Sequence, residues 1–147
     1  MKILLDTNIL VHAYNQASPH HKVASSIIER SMSGEIQAYI AQQVLFEFFA
    51  VITNVKRVEL PLPPDKAAEL CLDLWECDEI EKIAASELVP KEVFNLVRSK
   101  RLSGSSIFDC ILAVSAKVNK IDVIYTENVR DFNKYGFITV QNPFVEL

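Results

Sequence analysis

Short apolar segments alternate along this chain with longer segments whose apolar residues recur at helical spacing. The run at residues 2–5 suits a buried strand, while the shared face of Val44, Leu45 and Phe48 suits an amphipathic helix. Strands that alternate with helices favour a parallel sheet, because each parallel connection needs a crossover. We therefore predict an α/β fold in which a central parallel sheet of about four to five strands is flanked by helices.

Periodicity and breaking residues set the predicted elements. Strands are predicted at residues 2–5, 37–41, 80–84, 122–126 and 138–140. Helices are predicted at residues 8–14, 19–33, 42–56, 65–77, 90–101 and 106–118, with a further short helix near Asn128. The proline-rich segment 60–64 and Gly34 interrupt the pattern, but no segment resembles a linker, so we expect residues 1–147 to form one domain.

Composition excludes several classes of protein. The chain has only three glycines, so it contains neither the Gly-rich dinucleotide motif nor a Walker A loop. Its three cysteines form no Cys-x-x-Cys pair and its three histidines lack the spacing of a metal site. A net charge of −4 argues against general electrostatic coating of nucleic acid. No apolar run approaches the length of a membrane helix or a signal peptide, so we expect a cytoplasmic protein without a membrane partner.

Polar residues follow two of the predicted strands directly. Asp6 follows the first strand, and the segment 126–131 begins at the end of the strand at 122–126. Carboxyl ends of parallel strands meet at the edge where open α/β sheets bind ligands. Asp6 could equally cap the next helix, and Asn128 and Asp131 could be ordinary cap and turn residues. Their predicted meeting at one edge favours a site.

Two further carboxylates interrupt apolar helices. Asp109 lies between Phe108 and Cys110 in an apolar segment, with no Lys or Arg one turn away. A carboxylate in such surroundings needs a compensating partner. Glu47 lies on the flank of an apolar helix face, from which it could also simply reach solvent.

Several carboxylates brought together repel one another unless a cation neutralises them. Because no Cys or His cluster accompanies these acids, the expected ion is Mg²⁺ or Mn²⁺. Such a site suits phosphodiester hydrolysis, since the ion lowers the pKa of a bound water and neutralises charge on the phosphate. The predicted ligands and catalytic residues are Asp6, Glu47, Asp109 and Asp131. Residues predicted to support them by hydrogen bonds to water or phosphate are Thr7, Asn8, Thr126 and Asn128.

At these positions the sequence resembles the PIN-domain family, which includes the ribonuclease toxins of toxin–antitoxin modules. The likeness lies in the Asp-Thr-Asn at Asp6, in Glu47, in the Phe-Asp-Cys-Ile-Leu-Ala around Asp109, and in the Thr-Glu-Asn-Val-Arg-Asp-Phe at 126–132. This resemblance implies a Mg²⁺- or Mn²⁺-dependent endoribonuclease. It also implies an RNA substrate, a homodimer and a small antitoxin that blocks the site.

One position departs from the family pattern. Many members carry an acid where Asn128 stands, so the fourth acidic role could fall to Asp131 or to Glu127. Arg57 and other basic residues at helix ends could contact RNA phosphates, but such residues are more typical of solvated positions. Alternative functions are a catalytically silent PIN-like module that binds RNA or protein, DNA cleavage by the same chemistry, and an aspartyl phosphatase. The last is disfavoured because Asn8 stands where a second Asp is expected.

Overall fold

The computed structural model describes residues 1–145, in which five parallel strands form one sheet in the order β3-β2-β1-β4-β5. The strands are β1 (Lys2–Leu5), β2 (Gln37–Ala41), β3 (Glu81–Ile83), β4 (Val123–Tyr125) and β5 (Thr139–Gln141). The helices are α1 (Thr7–Tyr14), α2 (His21–Met32), α3 (Gln42–Ile52), α4 (Pro64–Glu76), α5 (Leu88–Lys100), α6 (Ser106–Val118) and α7 (Val129–Asn133). The predicted parallel α/β fold with flanking helices is confirmed.

The central strand β1 is apolar because both of its faces are covered. Ile3, Leu4 and Leu5 are buried, as are Val123 and Ile124 of the neighbouring β4. Parallel sheets with helices on both faces require such continuous apolar runs. The same burial makes these strands recognisable in the sequence.

The order of the strands creates a crevice between β1 and β4. The chain passes from β1 to β2 and β3 on one side, whereas β4 and β5 lie on the other side of β1. At such a switch point the connections leave two neighbouring strands in opposite directions, and ligands of open α/β sheets bind there. The backbone N–H of Asp6 donates to Tyr125 O at 3.0 Å, which holds the ends of β1 and β4 together.

Several predicted helix ends were wrong, for local reasons. Helix α3 ends at Ile52 instead of near Lys56, and the Thr53 hydroxyl there donates to Phe49 O at 2.8 Å. Helix α2 begins at His21 instead of Pro19, because the Ser18 hydroxyl accepts the N–H of His20 in a turn. Helix α5 begins two residues before Pro90, since proline is tolerated in a first turn, where its missing N–H is not needed.

The helices that carry acids pack on the sheet through apolar faces. Helix α3 buries Val44, Leu45, Phe48 and Ile52, and α6 buries six residues of its length. These faces hold the helix starts, and with them Glu47 and Asp109, near the carboxyl edge of β1. Within the described part of the chain, no helix combines the length and apolarity needed to cross a membrane.

Candidate functional site

Asp6 lies directly beyond β1 and is the most buried carboxylate of the site, with a side chain that hydrogen bonds fix on both oxygens. One carboxylate oxygen accepts the N–H of Thr7 at 2.7 Å, which also caps α1. The other accepts the Thr126 hydroxyl at 2.7 Å and the Asn8 amide at 3.2 Å. Burial raises the pKa of Asp6, while these donors oppose the rise and the charge of Glu47 adds to it. The site therefore holds a desolvated carboxylate in one orientation.

Thr126 joins the ends of β1 and β4 through its buried hydroxyl. This oxygen accepts the Asn8 side-chain amide and the Asn128 backbone N–H, each at 3.0 Å. Because both of those contacts come from N–H donors, the hydroxyl proton is directed to Asp6. The hydroxyl thus supports a carboxylate, whereas the sequence had suggested a bond to water or phosphate.

Glu47 projects from α3 toward the same edge. Its carboxylate accepts the Thr7 hydroxyl at 2.8 Å and the Gln43 amide at 3.4 Å. Gln43 also donates to the backbone carbonyl of Phe108 at 3.0 Å and so connects α3 with α6. Thr7 and Gln43 hold a carboxylate that would otherwise be free to turn into solvent.

Asp109 lies in the first turn of α6 and is partly buried. Burial raises its pKa to about 6, and the negative charges of Asp6 and Asp131 contribute to the rise. The charge of Glu47 acts in the same direction, whereas Lys134 opposes it. Burial is the largest cause of this rise, and the contributions of the other acids show that they lie near enough to act on Asp109 electrostatically.

The two acids after β4 lie in different surroundings. Asp131 is exposed on α7, where its charge acts on Asp109. Glu127 instead pairs with His12 of α1, since its carboxylate lies 2.9 Å from Nε2 of that ring. The backbone N–H of Glu127 donates to the Asn8 side chain at 3.2 Å. Of the two candidates for the fourth acidic position, Asp131 is therefore the one whose charge raises the pKa of Asp109.

These elements enclose a cleft, which we call the acidic cleft. Its lining includes Asp6, Glu47, Asp109, Glu127 and Asn128, together with Thr7, Asn8, Val11, His12, Ala50, Val51, Arg57 and Phe108. Asp131 is absent from this lining and stands beside the cleft. Among residues 1–145, no three His, Cys, Asp or Glu side chains converge as a ready-made ligand shell.

The donor set nevertheless fits a hard divalent cation. The acids at the acidic cleft offer carboxylate oxygens, and their mutual repulsion is relieved by positive charge. Mg²⁺ is commonly bound through one or two carboxylates, with waters and substrate phosphates as the remaining ligands. Such binding does not require three protein ligands to converge beforehand.

Sequence patterns did not reveal three residues at this cleft. Gln43 is a polar residue in the first turn of a helix, and nothing in its local sequence predicts that it bridges Glu47 and α6. His12 and Phe108 have apolar or ordinary helical neighbours, so only the tertiary fold shows that they face the cleft.

Comparison with known proteins identifies the family of this chain. The sequence matches the PIN domain over residues 3–138, and the chain belongs to the PIN domain family. It is 28% identical over 139 residues to ribonuclease VapC24 of Mycobacterium tuberculosis, covering 95% of this chain and 94% of that protein.

Solved structures share the fold at lower identity. The sarcin-ricin loop cleaving toxin VapC20 of Mycobacterium tuberculosis superposes with a TM-score of 0.68 and 17% identity, covering 95% of this chain and 99% of VapC20. A toxin–antitoxin complex from Klebsiella pneumoniae gives a TM-score of 0.63 and 18% identity, covering 98% and 99% of the two chains.

Proposed function

We propose that this chain is a divalent-metal-dependent endoribonuclease and the toxin of a toxin–antitoxin pair. The observation that carries the proposal is the meeting of Asp6, Glu47 and Asp109, from three separate elements, at the switch point of a parallel sheet. The similarity to proteins named ribonucleases supports RNA as the substrate.

Each acid has a role that follows from its contacts. Asp6 and Asp109 are the proposed primary ligands, because Asp6 is fixed by three donors and the pKa of Asp109 is raised by burial and by the neighbouring acids. Glu47, oriented by Thr7, and Asp131 are the proposed residues that complete the ligand set or orient the attacking water. Thr7, Asn8, Thr126 and Asn128 keep the acids in position through hydrogen bonds.

A Mg²⁺ or Mn²⁺ ion bound by these carboxylates would lower the pKa of water and neutralise charge on the scissile phosphate. The residues of the chain exclude bulk solvent from Asp6 and hold the acids near one another, and both effects raise the pKa of Asp6 and of Asp109. Without a cation the same carboxylates repel an approaching phosphate.

The decisive assay is cleavage of a mixed pool of structured RNAs in Mg²⁺, in Mn²⁺ and in EDTA, with Asp109→Asn in parallel. Asp73→Asn is the matched control, because Asp73 is exposed on α4 and does not line the acidic cleft. We expect metal-dependent cutting by the wild type and the control, and none by Asp109→Asn. If folded, metal-loaded protein freed of any partner does not cut RNA, the catalytically silent RNA- or protein-binding alternative is favoured. If it cuts DNA and not RNA, the substrate is DNA.

A protein partner is part of the same proposal. An apolar groove between α3 and α4 exposes 69% of Phe46 and 53% of Leu72, and such surfaces are typical of protein interfaces. The structural relative from Klebsiella is a toxin–antitoxin complex. We expect the isolated chain to be a homodimer and to lose its RNase activity on binding a small antitoxin. A mass of one chain in light scattering would contradict the homodimer. Full RNase activity of an isolated toxin–antitoxin complex would contradict inhibition by the antitoxin.

A further inference from the structure

Phe108 is exposed in an unusual place. It precedes Asp109 in the first turn of α6, lines the acidic cleft and keeps 52% of its surface accessible. About half of this large aromatic side chain therefore gains no stabilisation from burial. Its backbone is fixed, because its carbonyl accepts the Gln43 amide at 3.0 Å and its N–H donates to Ser105 O at 3.1 Å. Phe108 therefore presents its ring from a rigid part of the cleft.

The cleft has few basic residues that could attract RNA phosphates, so a contact that does not depend on charge gains importance there. Among its lining residues Arg57 is the one Lys or Arg side chain, with Lys134 near Asp109 as a further cation, and the protein as a whole carries a net charge of −4. Attraction of phosphates by basic residues, the usual source of nucleic-acid affinity, is therefore weak here. Stacking of a base on an aromatic ring does not depend on net charge.

We infer that Phe108 is an RNA-binding residue that stacks against an unpaired base next to the phosphate that the proposed cation would hold at Asp6 and Asp109. The inference rests on the proposed function, because that function brings a phosphate to the residue adjoining Phe108. Stacking requires a base turned out of a duplex, so the base is taken from a single strand, a loop or a bulge. Phe108 contributes affinity and position, and it does not take part in the chemistry.

The test compares Phe108→Ala with Phe94→Ala, because Phe94 is also a largely exposed helix residue, at 61%, and lies outside the acidic cleft. Binding of a fluorescein-labelled oligoadenylate is measured in Ca²⁺, which prefers the same oxygen ligands. A gel checks that the probe stays intact. An abasic ribose-phosphate chain of the same length serves as a second probe, since it carries the same charge without bases.

We expect Phe108→Ala to weaken oligoadenylate binding by about 5- to 150-fold, the range for loss of one stacked base. Binding of the abasic chain is expected to remain unchanged, and Phe108→Trp is expected to retain the affinity for oligoadenylate. Phe94→Ala is expected to behave like the wild type with both probes. Urea unfolding of each variant checks that an exposed ring was removed without loss of the fold.

Three results would overturn the inference. The first is that Phe108→Ala binds oligoadenylate as tightly as the wild type does. The second is that Phe108→Ala loses the same affinity for oligoadenylate and for the abasic chain. The third is that the wild type binds oligoadenylate no more tightly than it binds the abasic chain. Cleavage of the RNA pool by the wild type, measured in parallel, separates the two proposals. If the wild type cuts RNA while any of these results holds, only the stacking contact is wrong; if it neither cuts nor binds RNA, the proposed function fails as well.

Discussion

Replacing Asp109 by asparagine should stabilise the protein at neutral pH when no divalent cation is present. The pKa of Asp109 lies at about 6, compared with an ordinary 3.8. Each tenfold change in an ionisation constant corresponds to about 1.4 kcal/mol, so ionised Asp109 weakens folding by at most roughly 3 kcal/mol. Because the side chain is partly open to solvent, we expect about 1 to 2 kcal/mol after allowance for screening by solvent. Asparagine has nearly the same shape and removes this charge.

The expected gain depends on pH in a defined direction. The folded protein keeps the Asp109 proton up to about pH 6, whereas the unfolded chain loses it near pH 3.8. In that interval the folded state binds more protons, so a rise in pH lowers the free energy of unfolding. The penalty is complete above about pH 6 and absent below about pH 4. The advantage of Asp109→Asn should follow the same course.

Urea unfolding in EDTA, repeated across that pH range, measures this difference by linear extrapolation. EDTA is necessary because a cation bound at the proposed site would stabilise the wild type selectively. Asp73→Asn is the control, and we expect it to change the free energy of unfolding by no more than about 0.5 kcal/mol at any pH. The reasoning is refuted if Asp109→Asn is no more stable than the wild type at pH 7.5, or if its advantage is independent of pH.

Three further predictions concern the groups around Asp109. Thr126→Val should lower the free energy of unfolding by about 1 to 3 kcal/mol in urea, because it leaves buried polar partners unsatisfied; Thr126→Ser should restore it, and failure of serine to do so would contradict the role of the hydroxyl. Gln43→Ala should weaken Mn²⁺ binding severalfold in calorimetry, because it removes the amide that holds Glu47. The same change at exposed Gln42 should leave Mn²⁺ binding unchanged. Equal effects of the two substitutions would refute the role of Gln43 in positioning Glu47. The affinity for Mn²⁺ should fall about tenfold per pH unit below about pH 6, as Asp109 takes up its proton; a flat profile between pH 4 and 6 would exclude Asp109 as a ligand.

The fold could be predicted because the strands near its centre are buried on both faces. Residues 3–5 and 123–125 are continuous apolar runs for that reason, and the predicted and observed strands nearly coincide. Helix ends could not be predicted equally well, since they depend on single side-chain contacts. The Thr53 hydroxyl at the end of α3 and the Ser18 hydroxyl before α2 are two examples.

The candidate site shows the same division between local and tertiary information. Asp6 stands out because it directly follows a predicted strand, and Asp109 because a carboxylate in an apolar segment is unusual in any fold. The direction of Glu127 is different, because it turns toward His12, which is more than a hundred residues away in the chain. Gln43 and Phe108 likewise gain their importance only when α3 and α6 come together. Patterns within one segment carry no information about such contacts.

Binding of Mn²⁺ to the metal-free protein is the most direct test of the claim that the acidic cleft is a cation site. Calorimetric titration of the wild type, Asp109→Asn and Asp73→Asn at pH 7.5 compares the three proteins under one condition. We expect the wild type and Asp73→Asn to bind Mn²⁺ with the same affinity and Asp109→Asn to bind at least about tenfold more weakly. Equal binding by all three proteins would contradict the account.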